Sequence, residues 1–119
     1  MMLKKVLIVE DDGAIAEMLQ LMLQGEGYDV DMQPDARMVL NIQERLPDLV
    51  LLDIRLSGAD GRAICRQLKS QERTRHLPII LISAMPQTVG IARETGAEAF
   101  LAKPFAMQEF LTLVAQYVG

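Results

Sequence analysis

The chain has 119 residues, of which 50% are hydrophobic and 24% charged, with a formal net charge of −4 and a single cysteine. That length suits one compact core, and the acidic balance excludes a general nucleic-acid surface or an anionic-lipid surface. Cys65 alone can form no internal disulfide, so a reducing compartment is expected. The basic start, Met1 to Lys5, leads only into Val6-Leu7-Ile8-Val9 before acidic residues follow, too short a run for a signal peptide, and no stretch could span a bilayer. A soluble cytoplasmic protein with no membrane contact is expected, folded as a single domain over residues 1–119.

Val6-Leu7-Ile8-Val9 is short, unbroken and apolar, which suits a strand buried on both faces. Glu10-Asp11-Asp12 follows it. Ile15, Leu19, Met22 and Leu23 then recur at helical spacing, until Gly25 or Gly27 supplies a stop. Tyr28 to Met32 is a weaker strand. Asp35 can cap a helix through Val39, Leu40 and Ile42 to Leu46, with Pro47 closing it. Leu49-Val50-Leu51-Leu52 is the second strong strand and leads into Asp53. Asp60-Gly61 opens a helix through Ile64 and Leu68. Ile79-Ile80-Leu81-Ile82 is the third strong strand and leads into Ser83-Ala84. Thr88 to Glu94 is a poorer helix, because Gly90 interrupts it. Ala99 to Ala102 is the last strand, Lys103 follows it, and Met107, Phe110, Leu111 and Val114 form a final amphipathic face. Strand and helix alternate five times, which predicts an α/β, doubly wound parallel sheet with right-handed crossovers. The chain ends just after the fifth helix, so no output domain is expected in it.

In such sheets ligands bind beyond the carboxyl ends of the strands. Glu10-Asp11-Asp12, Asp53, Ser83-Ala84 and Lys103 all follow strands and converge on that edge. Taken alone, an acidic triplet after a strand is also explained as a helix cap, and Asp12 is read that way. Glu10, Asp11 and Asp53 together crowd three carboxylates, which repel unless a cation intervenes. An oxygen-only set favours a hard divalent ion, and Mg²⁺ suits few protein carboxylates and several waters. Lys103 adds a movable positive charge and Ser83 a hydroxyl donor. Together they make a phosphoryl site in which a carboxylate attacks while metal and ammonium neutralise the equatorial oxygens.

These residues resemble the receiver domain of bacterial two-component response regulators, similar to the chemotaxis receiver. The motifs are Val6-Leu7-Ile8-Val9-Glu10-Asp11-Asp12, then Leu51-Leu52-Asp53-Ile54-Arg55-Leu56-Ser57-Gly58-Ala59-Asp60-Gly61, then Ile82-Ser83-Ala84, Gly96-Ala97 and Phe100-Leu101-Ala102-Lys103-Pro104-Phe105. The resemblance implies a flavodoxin-like (βα)5 three-layer sandwich with strand order 2-1-3-4-5. It implies a phosphorylation-dependent switch, a regulatory domain that assists its own aspartyl phosphorylation and dephosphorylation. Asp53 would accept the phosphoryl group from a histidine kinase or a histidine phosphotransfer protein. Asp11, Asp53 and the Arg55 backbone carbonyl would hold Mg²⁺, with Mn²⁺ as a substitute, and Glu10 would act through water. Lys103 would bind a phosphoryl oxygen, Ser83 would be the switch hydroxyl and Phe100 the switch aromatic. The Lys103-Pro104 bond would be cis. The domain would act as a monomer or weak dimer on a downstream protein target.

Three features depart from the family pattern. Ser57 stands where proline is usual, which loosens the loop after Asp53. Phe100 replaces the commoner tyrosine. The stretch from Ser83 to Lys103 is shortened between Ala84 and Gly96, so the fourth helix is expected to be short, irregular or displaced. Phe100 and Ser83 also have plainer readings, as core and as strand terminator. His76 is read as an exposed loop residue and Cys65 as a small buried hydrophobe. Alternative functions are a relay intermediate passing the phosphoryl group onward, or the receiver portion of a longer DNA-binding regulator or of a hybrid kinase, the Met1 start arguing mildly against the hybrid kinase alone. An Mg²⁺-dependent phosphatase would need a second aspartate at Arg55, and a flavodoxin-type carrier would find Glu10-Asp11-Asp12 repelling its phosphate.

Overall fold

The computed structural model describes residues 3–33, 46–56, 59–84 and 94–118. Most of the two helices expected from Asp35 to Leu46 and from Thr88 to Glu94, and Ser57, lie outside the described residues. Five strands, β1 (Lys5–Val9), β2 (Asp29–Gln33), β3 (Leu49–Asp53), β6 (Ile79–Ser83) and β7 (Ala99–Ala102), pair in parallel in the order β2-β1-β3-β6-β7. Within that sheet this is the expected order 2-1-3-4-5. Two further strands, β4 (Arg55–Leu56) and β5 (Ala59–Asp60), form a separate antiparallel pair. Strands of two residues are too short to carry a hydrophobic period, so nothing in the sequence pattern announces them.

Every residue of β3 and β6 is buried, as continuous apolar runs require when helices cover both faces. Three helices stand among the described residues: α1 (Gly13–Gly25), α2 (Gly61–Ser70) and α3 (Met107–Tyr117). The strand residues divide by parity. Val6, Ile8, Leu49, Leu51, Ile80, Ile82 and Leu101 pack with Leu19 and Leu23 of α1 and Phe110 and Val114 of α3. Leu7, Val9, Val50, Leu52, Ile79 and Leu81 pack with Ile64, Cys65 and Leu68 of α2. The result is a three-layer α/β sandwich with helices on both faces of the sheet. No helix among the described residues is long and apolar enough to cross a membrane.

The helix ends follow the local sequence. Asp12 caps α1, its Oδ1 accepting from the amides of Ala14 at 3.0 Å and Ile15 at 3.2 Å. At the other end Gly27, at φ 88°, lets its own amide reach the Gln24 carbonyl at 3.0 Å and the Tyr28 amide reach that of Leu23 at 3.1 Å. A left-handed residue of this kind closes a helix at little cost only when it is glycine. Asp60 caps α2 through the Arg62 amide at 2.9 Å. As expected, Cys65 is fully buried and His76 is exposed.

One long-range clamp ties α2 to the amino ends of β6 and β7. Lys69 Nζ lies 2.7 Å from the Leu77 carbonyl and 2.8 Å from the Glu98 carboxylate. Glu98 Oε1 accepts from the Ile79 amide at 2.8 Å, while the Glu98 amide donates to the Ile79 carbonyl at 2.9 Å. Glu98→Ala leaves the half-buried Lys69 and the Ile79 N–H short of an acceptor. An unmade bond of this kind costs about 1–3 kcal/mol. A chemical-denaturation midpoint should fall accordingly, whereas Glu109→Ala on the exposed face of α3 should leave it unchanged.

Candidate functional site

Register explains why distant residues meet. Val9 pairs with Leu52, Asp53 with Ile82, and Ser83 with Ala102. Glu10 and Asp53 therefore emerge at one level on neighbouring strands, and Lys103 follows two residues beyond that level on β7, with β6 between. They also continue the parity of Ile8, Leu51 and Leu101, on the sheet face covered by α1 and α3. Ser83 falls on the opposite parity, with Ile79 and Leu81.

The acidic triplet separates into three roles. Asp12 is the helix cap already described. Glu10 is 7% exposed and Asp53 is 8% exposed, whereas Asp11 is exposed. A carboxylate oxygen from each of Glu10, Asp11 and Asp53 lies within 4.8 Å of the others. Lys103 Nζ donates to Glu10 Oε1 at 3.1 Å and to Asp53 Oδ2 at 3.2 Å. The Arg55 amide donates to Asp53 Oδ1 at 3.1 Å, so the Arg55 backbone borders the carboxylate cluster. Glu10 Oε2 is buried, with no donor facing it among the described residues.

That geometry governs the ionisation of the site. Burial, reinforced by contact with Asp53 and opposed by Lys103, pushes the Glu10 carboxyl up from 4.5 to about 7. A proton held by Glu10 can be shared with Asp53, which two ionised carboxylates could not do. Burial acts to lower the Lys103 pKa, but its bond to Glu10 and the charges of Asp53 and Glu10 outweigh it, and the net direction is upward. An oxygen-only cluster with an unsatisfied, buried carboxylate oxygen fits a hard divalent cation.

Lys103 is also tied to the neighbouring strand, its amide donating to the Ser83 carbonyl at 2.8 Å. Ser83 is buried at the end of β6. The Lys103-Pro104 bond is cis, as the resemblance implied. Phe100 stands apart from the acidic cluster. It is half-buried against the core beneath α2, in register with Leu81. Beside Lys103 opens an apolar cavity of about 320 Å³, lined by Ile15, Met18, Ala84, Lys103, Pro104 and Phe105.

One neighbour of Asp53 is not evident in the sequence. Gly61 was legible as the start of a helix, but it also lies directly against the Asp53 backbone, and its amide donates to the Ile54 carbonyl at 2.7 Å. The available signal was the glycine at the first helical position, where a residue with a better helix propensity would ordinarily serve.

Comparison with known proteins agrees with this geometry. Residues 6–115 match the response regulator receiver domain. The chain is 37% identical over 116 residues to the DNA-binding response regulator MtrA of Mycolicibacterium paratuberculosis, which covers 95% of this chain and 50% of MtrA. It thus spans about half the length of the relatives it matches. A solved structure assigned as a response regulator from Chloroflexus aurantiacus superposes with a TM-score of 0.89 at 35% identity, covering 98% of each chain. The receiver domain of sensor histidine kinase PA1611 from Pseudomonas aeruginosa, with a magnesium ion coordinated in its active-site cleft, superposes with a TM-score of 0.86 at 28% identity over 99% of each chain. The matched stretch contains all three clustered carboxylates and the lysine between them, and the chain belongs to the response regulator receiver domain family of two-component systems.

Proposed function

We propose that the chain is a phosphorylation-dependent signalling switch in which Asp53 accepts a phosphoryl group from the phosphohistidine of a sensor histidine kinase or a histidine phosphotransfer protein. The observation that carries this reading is the Lys103 ammonium, hydrogen-bonded to both Glu10 and Asp53 beside an oxygen-only cluster. Asp53 is the carboxylate held from two sides, by the Arg55 amide at Oδ1 and by Lys103 at Oδ2. In transfer, an Asp53 oxygen bonds to phosphorus while the phosphorus–nitrogen bond breaks. The electron pair stays on the imidazole nitrogen, and an acyl phosphate forms on Asp53. Lys103 can follow the charge onto a phosphoryl oxygen.

Asp11, Asp53 and the Arg55 carbonyl would hold Mg²⁺, with Glu10 acting through water and Mn²⁺ as a substitute. The magnesium-bearing receiver domain from Pseudomonas aeruginosa supports that assignment. When bound, the ion supplies positive charge against the crowded carboxylates and the phosphoryl oxygens. Ser83 and Phe100 are the proposed switch pair. The donor protein would approach over α1, where Met18, 47% exposed, lines the apolar cavity and Leu21 is 63% exposed. Phosphorylation would then bias a two-state equilibrium that a downstream protein reads.

A second reading has specific support, namely that these residues are the receiver portion of a longer DNA-binding regulator, since MtrA is such a regulator and the chain covers half of it. Nucleic-acid contact would then belong to the remainder of that protein. The expectation of no nucleic-acid surface applies to residues 1–119 alone.

Phosphoramidate or acetyl phosphate with Mg²⁺ should label the wild type and leave Asp53→Asn unlabelled at that site, as read by intact mass and by peptide mapping of the acyl phosphate. Labelling that persists in Asp53→Asn and in EDTA would overturn the proposal. Asp11→Asn should weaken Mg²⁺ binding in calorimetric titration by about tenfold or more, the scale of one lost charge-assisted contact.

Glu10 makes the site sensitive to pH. Its folded pKa, about 7, lies above the ordinary value of 4.5, so the folded state binds this proton more tightly than the unfolded chain. Its contribution to stability is complete below the ordinary value and is lost as pH rises through about 7. In EDTA the denaturation midpoint should therefore decline over that window, and Glu10→Gln should flatten the decline. A divalent cation competes with the same proton, so Mg²⁺ affinity should rise with pH over the same range.

A further inference from the structure

Gly61 opens α2, and its backbone is not in the left-handed region, so conformational freedom does not account for a glycine there. Space does. A Cβ at this position would overlap the Asp53 carbonyl oxygen, and it would lie 2.9 Å from both the Asp53 carbonyl carbon and the Ile54 Cα. All three atoms are backbone, so no flexible side chain can move aside. The Gly61 amide draws the same peptide close, donating to the Ile54 carbonyl at 2.7 Å. Ile54 in turn is anchored to β6, its amide donating to the Ile82 carbonyl at 3.0 Å. The Asp53–Ile54 peptide is thus held between β6 on one side and the first residue of α2 on the other. One residue further on, the Arg55 amide fastens Asp53 Oδ1.

We propose that Gly61 is a positioning residue of the acidic site: the absence of its side chain sets where the Asp53–Ile54 peptide lies, and with it the Asp53 carboxylate and the Arg55 backbone. The proposal rests on the reading of Asp53 as phosphoryl acceptor and metal ligand. A methyl group at position 61 must push either the strand end or the helix by about 1 Å, a displacement of the size that costs a positioned reaction on the order of 10²-fold. The other described glycines show no such contact with site backbone. Gly13, Gly25 and Gly27 have open space around a Cβ, and Gly96 meets only the Lys69 side chain.

The test compares Gly61→Ala with Leu68→Val, a core change on the same helix and away from the site. Three quantities are measured on full chains: Mg²⁺ affinity by calorimetry, the phosphoramidate labelling rate, and the amide resonances of Asp53, Ile54 and Arg55 in metal-free protein. Gly61→Ala should lose about tenfold or more in Mg²⁺ affinity, label about 10²-fold more slowly, and shift those three resonances. Leu68→Val should lower the denaturation midpoint while keeping all three near wild type. A folded Gly61→Ala with wild-type affinity, rate and resonances overturns the proposal, as does an equal loss in Leu68→Val. If Gly61→Ala is unfolded in buffer, the measurements are repeated on all chains in trimethylamine N-oxide, which favours compact states. Failure to fold there as well makes Gly61 a purely structural glycine and also overturns the proposal. Should wild type take no label at Asp53, the phosphoryl reading fails by itself, and the metal-free resonances and Mg²⁺ affinity still decide the role of Gly61.

Discussion

The constraint on which the rest of the molecule depends is the mutual repulsion of Glu10, Asp11 and Asp53. Two of these carboxylates are buried, all three offer oxygens within 4.8 Å of one another, and Lys103 bonds two of them. Three ionised carboxylates and one ammonium leave a deficit of two positive charges, which matches one divalent cation. Without that cation the site relieves itself by the other available means, holding a proton on Glu10 up to about pH 7. In the proposed reading a proton and a metal ion compete for this cluster. The proposed phosphoryl group would add more negative charge, which the Lys103 ammonium, bonded to Glu10 and Asp53, stands ready to offset.

Such a cluster would be costly if it had to be assembled from flexible loops. Here the sheet assembles it. The parallel registers of β1, β3, β6 and β7 bring residues as far apart as Glu10 and Lys103 to one end of the sheet, and strand parity sends Glu10, Asp53 and Lys103 to one face. The apolar cores on both faces hold those registers, because a slip by one residue would exchange the two faces of a strand. Lys69 and Glu98 secure the opposite end of β6 and β7. The strands then behave as rigid rods whose carboxyl ends carry the chemistry.

Much of this was legible in the residues. Val6–Val9, Leu49–Leu52 and Ile79–Ile82 are unbroken apolar runs, and such runs mean strands buried on both sides. Asp12 read correctly as a cap, and Asp60-Gly61 as a helix start, because helix initiation is local. What stayed hidden depends on separation in the chain or on proximity without a side chain. Lys69 and Glu98 are 29 residues apart and look like two surface charges until the fold joins them. Gly61 offers no side chain to read, and its contact with Asp53 exists only once α2 is seated. The β4–β5 pair is too short for any period. The burial of Glu10 was also not evident, since an acid among three acids suggests exposure. It follows from strand parity, which carries Glu10 onto the covered face while Asp11 turns outward.

The same parity sets the problem that a switch in this fold must solve. The proposed phosphoryl site lies on the face covered by α1 and α3, whereas Ser83 and Phe100 follow the parity of Ile79, Leu81 and the core beneath α2. A signal from Asp53 must therefore cross the edge of the sheet. Lys103 ties both sides of that edge: its amide bonds the Ser83 carbonyl, and its ammonium bonds Asp53. A phosphoryl group that draws the ammonium away from Glu10 would strain or relax the strand segment that Lys103 shares with Ser83. Phe100 has no hydroxyl with which to seek solvent, so any movement of it in the proposed switch would trade mainly apolar contacts. The proposed switch thus has packing on one face and electrostatics on the other, coupled through the Lys103 backbone.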